Sequence, residues 1–230
     1  MRILLVAIIV IAFILRFYGL SQNLFFGFEQ GRDLKVINDI VVNHKLTLIG
    51  PRTSIDGIFH GILYYYAAAI QFLIGRGNPL FVMAFFVIWQ SLAVVFLYLF
   101  IREIGGKATA VLGSLLYATS YGLIVYSRWF SHPPLIIPFS ILMFWSLARA
   151  AIKEKFYILF LLSWGAIFHL DLVVAVFFIP SIIVYFYWQK PAIPSKRIVL
   201  VCLLLFLLTF LPYVIFDFRH QFLMLNSLKK

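Results

Sequence analysis

Cysteine and acidic residues are both scarce in this sequence of 230 residues. Cys202 is the only cysteine, which excludes an intrachain disulfide and a metal site made of cysteines. Charged residues amount to 12%, with eight aspartates and glutamates against 19 lysines and arginines, whereas soluble domains carry about 25% charged residues. The shortage of charge excludes an ordinary soluble domain, and it makes the positions of the few acidic residues informative.

What the sequence does contain is apolar. Hydrophobic residues make up 64% of the chain, and the mean hydropathy is +1.04. Six apolar stretches are long enough to cross a bilayer, and a shorter seventh lies at 156–170. The six are 3–20, 80–101, 108–126, 134–152, 171–188 and 198–216. No small-residue cleavage pattern follows the first stretch, so we expect a retained helix. The pattern predicts an all-α, polytopic membrane helix bundle with about seven transmembrane helices, formed by residues 1–230 as a single module.

The positions of the cations predict the topology. The stretch 58–74 is ambiguous, because it holds His60, Gln71 and a Tyr64-Tyr65-Tyr66 triplet typical of membrane interfaces. If this stretch lies in the interface, Arg2 and the cationic connections 102–107, 149–155 and 190–197 share one face. The positive-inside rule makes that face cytoplasmic. We therefore predict a multi-pass plasma (inner) membrane protein with a cytoplasmic N-terminus. Its external loop, 21–79, would include an interfacial helix near 58–74. In the connection 102–107, Gly105-Gly106 would form a tight turn.

This topology places most polar side chains outside the cytoplasm. All five histidines fall there, as do six acidic residues: Glu29, Asp33, Asp39, Asp56, Asp171 and Asp217.

Within the external loop, Leu34, Ile37 and Val41 recur at helical spacing, which predicts a short surface helix over 33–42. The net charge of +11 is scattered among apolar stretches. We interpret it as topology marking and contact with anionic lipid or phosphate, and expect no nucleic-acid partner.

The segment 29–33 is the main catalytic candidate. On a helix, Glu29 and Asp33 are four residues apart and share a face. Arg32 is close by and can keep one of the two carboxylates ionised. A carboxylate at the mouth of an apolar cavity suits general-base catalysis on a hydroxyl group. The alternative is a solvated helix cap with ordinary surface charges.

Other polar residues are candidate ligands for phosphate or substrate. They are Arg32 in the first external loop, Arg128 and His132 in the second, His169 and Asp171 where two spans meet, and Arg219 and His220 after the last span. Their structural alternatives are contact with lipid headgroups, a buried His–Asp bridge and an interfacial anchor. No His-x-His or His-x-x-x-His pair occurs. Ligand spacing therefore supports no metal site, and we expect no cofactor, with a divalent metal as the alternative.

Several short motifs resemble the GT-C superfold of membrane glycosyltransferases. More narrowly, the chain is similar to the protein O-mannosyltransferase and aminoarabinose-transferase group. These enzymes are of the glycosyltransferase family 39-like type. The motifs are Phe28-Glu29-Gln30 in the acidic segment, Leu48-Ile49-Gly50-Pro51, Gly61-Ile62-Leu63-Tyr64-Tyr65-Tyr66 in the interfacial helix, and Tyr126-Ser127-Arg128. The resemblance runs along essentially the whole chain. Related enzymes continue beyond the equivalent of Lys230, so we expect the chain to correspond to their N-terminal transmembrane module.

The resemblance implies a reaction. In such enzymes an acidic residue of the first external loop accepts the proton of an acceptor hydroxyl, which attacks a sugar carried on a polyprenyl phosphate. By position the base is Glu29, with Asp33 as the substitute. The candidates for binding the leaving phosphate are Arg128, His132, Arg219 and His220. The implied partners are a polyprenyl-phosphate sugar donor, membrane lipids and an unknown acceptor.

Two departures from the family pattern stand out. Gln30 occupies a position where an acid is common, and no aspartate lies close to His132 in the sequence, which puts metal dependence in doubt.

Two other hypotheses on function stay open. A transporter or flippase for lipid-linked sugars would place ionisable residues within the spans or show paired repeats. An inactive truncated fragment would serve as a binding or assembly subunit.

Overall fold

The computed structural model describes residues 2–191 and 193–229. These residues form ten α-helices and no β-strand, which confirms the predicted all-α membrane helix bundle. The helices are α1 (Arg2–Phe17), α2 (Phe28–Val42), α3 (Leu63–Ile74), α4 (Pro79–Thr119), α5 (Tyr121–Tyr126), α6 (Pro133–Ala150), α7 (Phe156–Leu170), α8 (Leu172–Gln189), α9 (Lys196–Arg219) and α10 (Leu223–Ser227).

Apolar length accounts for the main helices. Among the described residues, α4, α6, α8 and α9 are long and apolar enough to cross a bilayer, and α1, α3 and α7 hold shorter apolar segments. Helix α3 has 12 residues. It is therefore about 18 Å long, which is too short for a hydrocarbon core of about 30 Å. This length agrees with the interfacial position predicted for the stretch 58–74.

Helix α4 folds back on itself at Gly106. This residue has φ 78° and ψ −178°, a backbone conformation that is essentially restricted to glycine. The hydroxyl of Tyr117 lies 3.3 Å from the carbonyl oxygen of Gln90, 27 residues earlier, whereas a straight helix would separate them by about 40 Å. The arms 79–105 and 107–119 therefore form a hairpin, with its turn at the predicted place. Extended backbone at Ser120 divides the predicted span 108–126 into the second arm and α5.

Contacts between the connections define one end of the bundle. Arg149 forms an ion pair of 3.3 Å with Glu103, which joins the α4 turn to the α6–α7 connection. The Glu154 carboxylate accepts hydrogen bonds from the backbone N–H and hydroxyl of Ser195 at 2.7 and 3.0 Å. The three connections with the predicted inner cations thus lie together.

The opposite end collects the external loops. The N–H of Gly61 donates to the carbonyl of His169 at 2.8 Å, and Phe25 in the first loop pairs with Trp129 in the second. The structure therefore groups the connections as the charge pattern predicts. Which of the two ends faces the cytoplasm stays a prediction.

Two apolar cores hold the helices together. The larger core joins α2, α3, α4, α6, α7 and α8, and it contains the buried side chains of Tyr64, Phe86 and Met143. The smaller one packs α1 against both arms of α4, through residues that include Ile8 and Val94. Most of the apolar surface of α8 and α9 stays exposed on the chain, as expected of helix faces that meet lipid.

Replacement of Gly106 by alanine is expected to lower the free energy of unfolding by about 1–3 kcal/mol, because this backbone conformation strains any residue with a Cβ. The strain is conformational, since a Cβ at position 106 would meet no atom within 4 Å. Gly122→Ala is the matched control: it also has open space, but φ at this position lies outside the left-handed region. The unfolding midpoints of the two variants are compared by thermal unfolding in detergent. A midpoint of Gly106→Ala equal to that of Gly122→Ala would contradict the assigned turn.

Candidate functional site

Helix α2 carries the acidic segment and is fixed at its start by Gln30. The side-chain oxygen of Gln30 accepts a hydrogen bond of 2.8 Å from the N–H of Gly27, which satisfies a free donor at the helix terminus. The helix therefore begins at Phe28, five residues before the predicted start at 33. Gln30 is buried, and this cap is a structural role for glutamine where the resemblance leads one to expect an acid.

Asp33 is the centre of a hydrogen-bonded group that joins α2 to α3. Asp33 is 2% exposed, and its Oδ1 accepts a hydrogen bond of 3.0 Å from the Tyr65 hydroxyl. The same oxygen accepts from Nε and Nη2 of Arg32 at 3.1 and 3.0 Å. Burial raises the pKa of the Asp33 carboxyl, while Arg32 and Tyr65 oppose the rise because they stabilise the charged form.

Glu29 differs from Asp33 in its surroundings. It lies one turn earlier on the same helix, and it is exposed. The two ion pairs of the described residues, Arg32–Asp33 and Arg149–Glu103, do not include it. A substrate hydroxyl can therefore approach the Glu29 carboxylate without displacing a protein partner, whereas Oδ1 of Asp33 is already occupied.

A second polar cluster lies just before α3. His60, His132 and Asp171 come from three separate segments, and one ligand atom of each lies within 4.8 Å of the others. The two imidazole rings are 4.4 Å apart between centroids. His60 is 6% exposed, and Nδ1 of both histidines is buried without a hydrogen-bond partner in the described part of the chain.

The backbone around Gly61 fixes His60 in this cluster. The carbonyl of His60 accepts a hydrogen bond from the N–H of Gly50 at 2.7 Å, and its own N–H donates to Pro51 at 2.9 Å. Gly61 lies directly against the ring of His169, where a Cβ would overlap Nδ1. Glycine therefore permits the close approach of this loop to α7.

Burial keeps the imidazoles of the cluster neutral at physiological pH. It lowers the pKa of His132 to about 3, with further contributions from His60 and Arg32. It also lowers the pKa of His60, although the Asp171 carboxylate opposes this effect. A neutral imidazole retains a lone pair on one ring nitrogen and can accept a hydrogen bond or coordinate a metal ion.

Arg128 has a structural role that the sequence analysis did not identify. Its guanidinium donates to the carbonyls of Leu15, Arg16 and Tyr18 at 2.7, 3.2 and 2.8 Å. These groups end α1 and lack partners within the helix. The contacts account for Arg128 without a phosphate ligand, and phosphate binding by this residue stays a prediction without support from its geometry.

Arg16 caps the neighbouring helix in a similar way. It is fully buried and donates to the carbonyls of Ala118 and Tyr117 at 3.0 and 3.2 Å. Arg16 and Arg128 thus satisfy the ends of α4 and α1 respectively. Positive charge at a helix C-terminus is also favoured by the helix dipole.

His169 and Asp171 do not form the buried His–Asp bridge that is the structural alternative for this pair. Nε2 of His169 lies 2.9 Å from the carbonyl of Thr209, whereas Oδ1 of Asp171 accepts from the N–H groups of Val173 and Val174 at 2.9 and 3.1 Å. His169 therefore links α7 to α9, and Asp171 caps α8 while also taking part in the histidine cluster.

Arg219 and His220 lie at the end of α9 and are exposed. The His220 ring stacks on Phe216 with centroids 4.0 Å apart, and its Nδ1 lies 2.8 Å from the Phe216 carbonyl. Neither residue belongs to the Asp33 group or to the histidine cluster. Their geometry fits the interfacial anchor that was their structural alternative.

An apolar groove of about 200 Å³ runs between α3, α4 and α6. Its lining includes Leu63, Phe86, Trp89 and Leu135. The ring of Phe86 is 6.0 Å from that of Tyr64, which is in turn 5.8 Å from His132. Phe86 and Tyr64 thus link the groove to the histidine cluster, an arrangement that suits an amphiphile with an apolar chain and a charged head.

The matching family model is that of the dolichyl-phosphate-mannose-protein mannosyltransferases, and it covers residues 59–216, more than half of the chain. The chain belongs to this family. Membership makes it a membrane glycosyltransferase of the GT-C type, which uses a lipid-linked sugar donor. No curated protein and no solved structure matched the chain.

The family match covers only part of the candidate site. It includes the histidine cluster, α3 and the apolar groove, while Glu29, Arg32 and Asp33 precede residue 59. The candidate roles of Glu29, Arg32 and Asp33 therefore depend on the geometry of these residues and not on the family match. Arg219 and His220 follow residue 216 and also lie outside the matched range.

Sequence reasoning missed His60 and Tyr65 as candidate site residues. His60 lies in the ambiguous stretch 58–74, and no local spacing pattern connects it with His132 and Asp171. Tyr65 belongs to a triplet that is typical of an interfacial belt, and its bond to Asp33 joins residues 32 positions apart. The available local signal for both residues was the run from His60-Gly61 to Tyr64-Tyr65-Tyr66.

Replacement of Tyr65 by phenylalanine is expected to raise the pKa of Asp33 further, because the carboxylate loses a hydrogen-bond donor that stabilises its charged form. Infrared difference spectra over a pH titration measure the carbonyl stretch of protonated Asp33, which Asp33→Asn identifies by its loss. Tyr66→Phe is the control, since that hydroxyl donates to the Thr47 carbonyl at 2.9 Å. An unchanged or lower pKa in Tyr65→Phe would contradict the assigned network.

Proposed function

We propose that this chain acts as one transmembrane module that transfers a sugar from a polyprenyl-phosphate donor to an acceptor hydroxyl. The reaction takes place on the extracytoplasmic side of the plasma (inner) membrane, and Glu29 is the general base. The observation that carries the proposal is an exposed carboxylate on α2 with no ion-pair partner among the described residues. The Asp33 group on the same helix connects it, through α3, to an apolar groove.

The groove supports the assignment of the donor. It is lined by apolar side chains of α3, α4 and α6, which suit a prenyl chain and would keep it out of water. Its lining residue Phe86 contacts Tyr64, which contacts His132, and a phosphate on that chain would lie toward these residues. The lipid would thus be bound by its tail, while the sugar lies near α2.

The Asp33 group supports a role in holding the phosphate. Nε and Nη2 of Arg32 bind Asp33, and the side chain of Arg32 is still 39% exposed. Its other guanidinium N–H group is therefore available to a phosphate oxygen, for which guanidinium geometry is well suited. In this proposal Asp33 is a positioning residue that orients Arg32 and Tyr65.

The chemical step follows from these positions. Glu29 accepts the proton of the acceptor hydroxyl as its oxygen attacks the anomeric carbon of the donor sugar. The bond between that carbon and the phosphate oxygen breaks, and the electron pair leaves with the polyprenyl phosphate. Arg32 stabilises the negative charge that develops on the leaving group.

Glu29→Gln is expected to lower turnover by about 100-fold or more, because the amide cannot accept the proton. The assay follows release of polyprenyl phosphate from radiolabelled polyprenyl-phosphate mannose by the purified chain in lipid vesicles, with a panel of hydroxyl acceptors. Asp39→Asn is the matched control on α2. The Asp39 side chain accepts a hydrogen bond from Asn43, at the end of its own helix, and the variant should retain wild-type turnover.

The outcome in Asp33→Asn separates the two carboxylates. Wild-type turnover in both Glu29→Gln and Glu29→Ala would eliminate Glu29 as the base. If Asp33→Asn were then inactive, the essential carboxylate would be Asp33, as base or as positioning residue. Absence of turnover in the wild-type chain with every acceptor would contradict the proposed donor.

A further inference from the structure

The cluster of His60, His132 and Asp171 has the composition of a transition-metal site. Two imidazoles and one carboxylate are ligands that zinc and its neighbours in the first transition row accept. Hard cations such as Mg²⁺ prefer oxygen ligands and would gain little from two ring nitrogens. The three residues are far apart in the sequence, so local ligand spacing could not reveal the arrangement.

The geometry of the cluster fits one metal ion. Three atoms that lie within 4.8 Å of one another can all be within about 2.8 Å of one point, and zinc takes nitrogen and oxygen ligands at about 2.0–2.2 Å. The remaining difference is about 0.6–0.8 Å for each ligand atom.

The cluster also has buried ring nitrogens without hydrogen-bond partners. His60 is more than nine-tenths buried, and its Nδ1 has no hydrogen-bond partner among the described residues, a property shared by Nδ1 of His132. A buried polar atom without a partner is unusual in a folded protein. A bound cation would satisfy both nitrogens together.

Asp171 supplies the charge and is held in place by its own neighbours. Its Oδ1 accepts hydrogen bonds from Val173 and Val174 at the start of α8, and Oδ2 makes no hydrogen bond in the described part of the chain. Hydrogen bonds of this kind orient a carboxylate toward a metal. The backbone bonds of His60 to Gly50 and Pro51 similarly fix the segment that carries the first imidazole.

We propose that His60, His132 and Asp171 bind one divalent transition-metal ion of the zinc class. Three protein ligands leave a fourth tetrahedral position for water or for an oxygen of a bound molecule. The ion would join the loop before α3, the second external loop and the α7–α8 connection at one point. This inference goes beyond the proposed glycosyl transfer and does not depend on it.

The test uses the full chain, purified in detergent without a polyhistidine tag and treated with a chelator. Co²⁺ is then added as the probe, because its visible absorption reports nitrogen ligation and a four- or five-coordinate geometry. The wild-type chain is expected to bind one Co²⁺ per chain and to lose it to Zn²⁺ but not to Mg²⁺. Absence of stoichiometric binding, or displacement by Mg²⁺ at similar concentration, would overturn the proposal.

Variants assign the ligands. His60→Ala, His132→Ala and Asp171→Asn should each weaken Co²⁺ binding by about 100-fold or more, since loss even of an outer partner costs a metal site about 10–100-fold. The asparagine preserves an acceptor for the start of α8. His44→Ala removes an exposed histidine and should bind as the wild type does. Wild-type affinity in the three ligand variants would place the ion elsewhere and contradict the assignment.

Gel filtration and thermal unfolding in the presence of chelator establish that each variant is folded before metal is added. Zn²⁺ should raise the unfolding midpoint of the wild type and of His44→Ala. An equal rise in a folded variant that lacks both histidines would also contradict the proposal.

Discussion

Polar groups surrounded by hydrocarbon need partners, and this constraint determines where the charges of the protein lie. Arg16 is fully buried and binds carbonyls at the end of α4. Arg128 binds carbonyls at the end of α1, and Glu103 pairs with Arg149 at the opposite end of the bundle. Helix ends have free backbone groups that charged side chains can satisfy. These four charged residues therefore help to close the bundle at its two ends.

Against this background, two sets of polar residues retain groups that the fold does not bond. Glu29 is exposed near the Asp33–Arg32–Tyr65 group, and the buried Nδ1 atoms of His60 and His132 have no partner among the described residues. Both sets lie at the end of the bundle that contains the external loops. Groups whose bonding capacity is not used by the fold are those available to a ligand. The glycosyltransferase family of the chain supplies a reason for such groups at that end.

The sequence predicted the fold better than it predicted the site, for a physical reason. Hydrophobic length is a local property, so the stretch 156–170 coincides with α7, and Gly105-Gly106 marked the turn at Gly106. The role of Arg128 depends on carbonyls 110–113 residues away. The histidine cluster likewise depends on how three distant segments meet. Capping by Gln30 rests on a local pattern, a glutamine three residues after Gly27, whereas the family resemblance presents the same glutamine only as a missing acid.

The chemistry requires that the two ends of the bundle face opposite sides of the membrane, with Glu29 outside. Glu29→Cys and Lys107→Cys, each in a Cys202→Ser background, place single thiols at the two ends, both at exposed positions. Intact cells are treated with a membrane-impermeant maleimide, and labelling is compared with that after permeabilisation. Position 29 should react in intact cells and position 107 only after permeabilisation. Labelling of position 107 but not of position 29 in intact cells would contradict an extracytoplasmic base.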